Sequence, residues 1–274
     1  MALAQALMMG HKPLTTYDFD NKTYVRGPVG TANDVPGGAH PSRFSDDGLT
    51  LLCFLHGNIR HLGLNAAYDI TDFSGTSVLG ALTFAHTSNT NDNISVVFSS
   101  DGLNAIGIRE SSTVQFMQTD TAWDFTSNAT VTRTSSTALP SYGSTLSPRS
   151  AGLSPDDAKL YITTESSRIY EFSVDFSTQT VTSYDALGPT LPSTANANSN
   201  VAVGPDHVLV GFNSGYCKIP RVSGTISGQS SPTNITTDSH GTTHNDAIIY
   251  SNDGSTLWFY ESTQDQWFEY DTSN

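Results

Sequence analysis

Five times along this chain an apolar strand end runs into a short turn built on Asp and then into a second apolar run. The copies are Phe44-Ser45-Asp46-Asp47-Gly48, Phe98-Ser99-Ser100-Asp101-Gly102, Leu153-Ser154-Pro155-Asp156-Asp157, Val203-Gly204-Pro205-Asp206 and Tyr250-Ser251-Asn252-Asp253-Gly254. The runs that follow are Leu49 to Leu52, Ala105-Ile106-Gly107-Ile108, Leu160-Tyr161-Ile162, Val208-Leu209-Val210 and Leu257-Trp258-Phe259. Taking the last Asp of each copy, at 47, 101, 157, 206 and 253, the steps are 54, 56, 49 and 47 residues. A hairpin at a fixed place in a unit of about 50 residues marks a repeat architecture.

Each unit reads as four short strands. In the second they are Ile94 to Phe98, Asn104 to Ile108, Thr113 to Met117 and, after the turn at Trp123-Asp124, Ala129 to Arg133. The first unit repeats the order, with Tyr68-Asp69 at the turn and Ser77-Val78-Leu79 after it. In the third, Arg168 to Phe172 and Thr178 to Thr182 are the last two strands, and in the fourth Val222-Ser223-Gly224 replaces the aromatic-Asp turn. The fifth stops after Gln266 to Asp271, one strand short. The N-terminus has that piece to spare, in Tyr17-Asp18-Phe19 and Lys22 to Arg26, ahead of a Gly/Pro-rich loop from Pro28 to Gly38. The expected fold is therefore all-β: a five-bladed β-propeller over 13–274, closed by an N-terminal strand that completes the last blade and removes a free sheet edge. Residues 1–12 are an N-terminal arm in which Leu3, Leu7, Met8 and Met9 are the candidate docking residues.

Composition narrows the partners. The formal charge is −14, with 12 basic residues against 26 acidic, and only Lys12, Lys22, Lys159 and Lys218 are lysines. Such a field repels a phosphate backbone, so nucleic acid is not an expected partner. Charged residues are only 14% of the chain, and Ser, Thr and Asn take their place. No stretch is long and apolar enough to suggest membrane insertion, and the mildly apolar start lacks the basic region of a signal peptide. Cys53 and Cys217 fall in non-adjacent repeats and are expected to be free, buried thiols.

Propellers bind at the ends of the central channel, where the innermost strands begin. Counting back from each turn gives a candidate ligand-binding ring of His40, Asn93, Arg149, Asn198, His244 and Asp246. Polar residues also stand at such mouths simply to face water. His240 and His244 are four apart, but in a Gly/Thr-rich loop without a neighbouring Glu, so no metal site and no cofactor is expected. The pairs Asp46/Asp47 and Asp156/Asp157 look like paired carboxylates, yet they recur with the turns, and Asp suits a turn by bonding its own backbone. The same structural role is expected of the aromatic-Asp pairs that begin at Tyr17, Tyr68, Trp123 and Tyr270. A glycosidase needs two carboxyls across one pocket, and the mouth offers only Asp246, so an enzyme is not expected.

The wording of the blade is carried best by Ala122-Trp123-Asp124-Phe125-Thr126-Ser127 and by Leu153 to Ile162. It resembles propeller repeats of bacteriophage proteins. The resemblance implies a virion component, at a tail, fibre, nozzle or capsid surface, with host-receptor recognition as an added role. Implied partners are other virion proteins or copies of the chain through the arm, and a host surface glycan. A stand-alone carbohydrate-binding propeller is the alternative, and a five-bladed glycoside hydrolase a lesser one.

Overall fold

In a computed structural model of the chain, residues 23–29, 40–55, 58–70, 82–83, 93–109, 111–125, 131–134, 137–140, 147–191, 200–212, 215–229, 232–236, 245–261 and 266–272 are described. The chain opens with β1 (Thr23–Val29). Blade one is β2 (His40–Phe44), β3 (Thr50–Leu55), β4 (Asn58–Gly63) and β5 (Leu82–Thr83). Blade two is β6 (Asn93–Phe98), β7 (Asn104–Arg109), β8 (Thr113–Thr119), β9 (Val131–Arg133) and β10 (Thr137–Ala138). Blade three is β11 (Pro148–Leu153), β12 (Lys159–Thr164), β13 (Arg168–Asp175) and β14 (Thr180–Thr190). Blade four is β15 (Val201–Val203), β16 (His207–Phe212), β17 (Gly215–Pro220) and β18 (Thr233–Thr236). Blade five is β19 (Asn245–Tyr250), β20 (Thr256–Glu261) and β21 (Gln266–Asp271).

These strands make five antiparallel sheets, and the sheet of blade five runs β1-β21-β20-β19. The N-terminal strand thus supplies the missing fourth strand, with Thr23 opposite Asp271, Tyr24 opposite Tyr270 and Val29 opposite Trp267. The protein is a five-bladed β-propeller. The closing strand runs through Pro28 to Val29, beyond the expected end at Arg26. As the outermost strand it has one unpaired edge, which tolerates a proline.

The cores explain the continuous apolar runs. Side chains alternate across a strand, so a blade wedged between two neighbours buries both of its faces. In β3, Leu51 and Cys53 pack toward blade five with Trp258 and Tyr260, whereas Leu52 and Phe54 pack toward blade two with Phe98 and Met117. In β20, Leu257 and Phe259 face blade four, and Trp258 and Tyr260 face blade one. Blades two and three share a fourth such core, and blades three and four a fifth. Every adjacent pair therefore has its own core, and the ring is closed by packing as well as by β1. Cys53 and Cys217 are buried thiols outside any disulfide, in different cores.

The hairpin turns are built identically in blades one, two and five. The Ser45 hydroxyl donates to Asp47 Oδ1 at 2.6 Å, and that oxygen accepts the Leu49 amide at 2.9 Å. Ser45 Oγ in turn accepts the Thr50 amide at 2.9 Å. Ser99 and Asp101 repeat this, as do Ser251 and Asp253. Trp123 sits at φ 64° and Tyr68 at φ 61°. Each donates its amide to the carbonyl of a turn glycine, Gly102 or Gly48, at 2.8 Å. The aromatic-Asp pair is thus a lid on the Asp-Gly turn of its own blade. Tyr270 plays no such part; it lies inside β21, and Tyr17 lies outside the described residues.

Two strand expectations shift. The described fourth strand of blade one is Leu82–Thr83, and Ser77 to Leu79 lie outside the described residues. The fourth strand of blade two is split, with Val131–Arg133 and Thr137–Ala138 pairing with opposite ends of β8.

Two outcomes follow from this geometry. A β-carbon on Gly102 would run into the Trp123 ring, at 2.5 Å from Cε2, and the residue stands at φ +67°. Gly102→Ala therefore lowers stability by about 1–3 kcal/mol, read from urea denaturation, while an alanine at the open Gly228 costs less. A chain beginning at Pro13 keeps a cooperative melt. One beginning at Gly30 lacks β1, exposes the edge of β21, and shows a lower midpoint and self-association in light scattering.

Candidate functional site

The innermost strands β2, β6, β11, β15 and β19 start at one end of the ring and reach the hairpin turns at the other. Of the expected ring, His40 and Asn93 open β2 and β6, and Arg149 and Asp246 are the second residues of β11 and β19. Asn198 and His244 lie outside the described residues, as do His240 and the arm residues Leu3, Leu7, Met8 and Met9.

These positions do not share one register. His40, Arg149 and Asp246 stand five residues before the first residue of their turn, whereas Asn93 and Asn198 stand six before and His244 seven. The pairing of inner strands slips between Asn93 and Ser95, between Pro148 and Ser150, and between Asn245 and Ala247. The extra residue in each case is Ile94, Arg149 or Asp246. A bulge re-aims a side chain and bends the strand end, so the same mouth position is kinked in three blades. Arg149 is ion-paired with Glu165, an exposed residue in the β12–β13 turn of the same blade. Glu165 is absent from the ring expected from sequence; it follows from the register, which sets Thr164 opposite Pro148.

Just inside the mouth, Asn200 links three blades. Its Oδ1 accepts from Ser150 Oγ at 3.3 Å and from the Val201 amide at 3.0 Å, and its Nδ2 donates to the Ile248 carbonyl at 3.2 Å. Sequence reasoning passes over it in favour of Asn198, though it stands in register with Ser95 and Ser150.

The opposite end of the ring is densely bonded. In blade three the Asp that completes the turn is Asp156, whose Oδ1 accepts the Ala158 amide at 3.3 Å. Asp157 takes the place of the glycine, at φ 60°. Its carboxylate therefore does not serve its own turn, which corrects the reading of Asp156/Asp157 as a turn pair. It accepts the Ser100 amide at 2.8 and 2.9 Å, the Ser100 hydroxyl at 2.6 Å and Arg43 Nη1 at 3.0 Å. Arg43 also donates to the carbonyls of Phe98 at 3.1 Å and Pro155 at 3.3 Å. From the other side Asn252 of blade five donates to Phe44 and Ser45 carbonyls of blade one at 3.2 and 2.9 Å.

A second network locks blades three and four. Fully buried Glu171 accepts from Thr225 Oγ1 at 2.8 Å and from the Ile226 amide at 2.7 Å. Arg221 donates to the Tyr161 hydroxyl at 2.8 Å and to carbonyls of Gly204, Pro205 and Gly224 at 2.6, 3.1 and 3.1 Å. Burial raises the Tyr161 phenol above its ordinary range. His207 is buried against Asp206 and the Tyr250 ring, and burial lowers its pKa, which keeps it neutral at pH 7. Among the described residues no three His, Cys, Asp or Glu side chains converge as a metal site would need, and no helix is long and apolar enough to cross a membrane.

No protein-family model matches the sequence, and no curated protein matches it. Among solved structures, a candidate 6-phosphogluconolactonase of Bacteroides fragilis matches over 78% of this chain and 57% of its own, at 20% identity and a TM-score of 0.46. One of Bacteroides uniformis matches over 78% and 61%, at 13% identity and 0.46. The β-propeller domain of Myceliophteria thermophila Cps50 matches over 88% and 65%, at 12% identity and 0.44. The chain thus spans about three-fifths of the length of these structures. Such low likeness adds nothing to the strand pairing as proof of fold and says nothing of activity, and none of these matches links the chain to bacteriophages. What the sequence and its fold together establish is a five-bladed β-propeller whose inner strands all open toward one end.

The turn carboxylates set an acid limb. Hydrogen bonds from Ser45 and the Leu49 amide hold Asp47 below its ordinary 3.8, and His207 does the same for Asp206. A folded pKa below the unfolded one gives stability that is whole above the unfolded value and drains as pH falls through the folded one. Thermal midpoints are thus expected to drop from about pH 4 downward, and Asp47→Asn to flatten the drop at a lower plateau.

Proposed function

We propose that this protein is a structural component of a bacteriophage particle, of the tail, fibre, nozzle or capsid surface. In this reading the propeller is a rigid platform that recognises a host-surface glycan at the channel mouth. Residues 1–12, through Leu3, Leu7, Met8 and Met9, dock on another virion protein or a second copy.

The observation that carries the binding face is the inequality of the two ends. The hairpin end is consumed by its own hydrogen bonds, whereas the mouth end receives all five connections between blades, residues 30–39, 84–92, 139–147, 191–200 and 237–244. None of these segments contains Lys or Arg, and Ser, Thr, Asn and Gly dominate them. Connections on a rigid scaffold are where recognition concentrates. Hydroxyl and amide groups without cations suit a neutral, polyhydroxylated ligand better than a phosphate. Arg149 and Asp246, on bulges beside these connections, are the Arg and Asp of the expected ring, and Asp34, Asp92 and Asp238 add acidic groups within the connections. The virion setting rests on the blade resemblance alone.

A glycoside hydrolase is the lesser reading, and Glu165, one carboxylate at this end, is tied to Arg149. A stand-alone carbohydrate-binding propeller uses the same mouth and differs only in the arm. Light scattering on the full chain and on a chain beginning at Pro13 separates the two. The virion reading expects assembly of the full chain and a monomer from the shorter one, and glycan-array binding at least about tenfold weaker in Arg149→Ala. Two monomers with glycan binding intact would favour the stand-alone lectin, and two monomers binding no glycan would remove both.

A further inference from the structure

We infer that Arg43 and Asp157 form an acid-releasable clamp across the hairpin end of the channel. Arg43 belongs to the innermost strand of blade one and Asp157 to the first turn of blade three. Blades one and three are not neighbours; each packs against blade two. A direct bond between them at 3.0 Å therefore spans the channel side of blade two, and the Phe98 carbonyl and Ser100 of that blade are bound on the way.

Two further observations set this pair apart from ordinary turn chemistry. Asp157 occupies the position held by Gly48, Gly102 and Gly254 in three other blades, all at positive φ. A non-glycine there is strained by about 1 kcal/mol, a cost the local turn does not require. Its carboxylate is also released from turn duty, because Asp156 fills that role. The charged groups around the Asp157 carboxylate are Arg43 from blade one and Asp101 from blade two. Burial raises the Asp157 pKa above 3.8, against the pull of Arg43 and Ser100. Its folded pKa being raised, this carboxyl contributes more stability as pH falls, so acid opens the clamp without loosening the ring. Asp47, Asp156 and Asp206, held low, take up protons at lower pH.

The clamp is independent of the glycan reading and is tested by a double-mutant cycle in the full chain. Asp157→Gly gives the residue type of the other turns, and Arg43→Met keeps an unbranched apolar stem while removing the guanidinium. Denaturation of the wild type, both single variants and the double variant at pH 7 is expected to give a coupling of at least about fivefold in the unfolding constant. As pH is lowered and the Asp157 carboxyl takes up its proton, the coupling should decline below its value at pH 7. A coupling of unity at pH 7 overturns the clamp, and one that keeps its size as pH is lowered overturns its release by acid. Should a variant fail to fold, NMR of the wild-type Arg43 guanidinium decides. Nη protons protected at pH 7 relative to their intrinsic exchange rate, with that protection lost in acid, support the clamp, and equal protection relative to the intrinsic rate at both pH values overturns it.

Discussion

Everything in this molecule depends on strands that bury both faces at once. The alternation of side chains along Leu51-Leu52-Cys53-Phe54 sends successive residues to opposite neighbours, and Leu257-Trp258-Phe259-Tyr260 does the same in blade five. A single blade with such strands has no soluble form, since each large side chain left exposed forgoes about 1.5–3 kcal/mol. The only way to cover every face with identical units is a closed ring. The terminal strand β1 then completes blade five, and Tyr24 meets Tyr270 edge-on at 5.7 Å.

Packing between blades does not by itself fix their rotation about the axis, because apolar contact is non-directional. Polar groups between the blades supply that direction. Asn200 ties three inner strands near the mouth, Glu171 and Arg221 join blades three and four, and Asn252, Arg43 and Asp157 run from blade five through blade three at the hairpin end. Most of these side chains bond backbone groups at strand ends and turns, and so fix one blade against the next.

The fold is legible in the sequence because its signals are local. Ser45, Asp47 and Gly48 specify a turn by bonds within six residues, and the absent fourth strand of blade five is visible as a count. The third strands of blades two to five are also clear, since aromatic residues mark them, from Phe116 to Tyr270. Fourth strands are less so, because they lie on the outside, where Leu82–Thr83 and Thr137–Ala138 carry little apolar signal. The pair Asp156/Asp157 misleads for a sharper reason. It looks like Asp46/Asp47, but the glycine is missing after it, and only the ring brings Arg43 within reach of the second carboxylate. Of the mouth set, His40 and Asn93 open their strands and Arg149 and Asp246 stand second in theirs. The set misses the bulges, which change register within a strand and leave no mark in composition, and so it combines residues one and two positions apart.

In the proposed reading such a platform separates stability from recognition: the cores and the hairpin end hold the shape, and recognition is left to the opposite end. That separation stands or falls with ring closure by the N-terminal strand. A double-mutant cycle on Tyr24 and Tyr270, each changed to Leu and measured by urea denaturation, tests it most directly. Closure predicts a coupling of about 0.5–1.5 kcal/mol, as expected for an edge-on aromatic pair. Independent, additive losses would contradict it and would leave the last blade without its fourth strand.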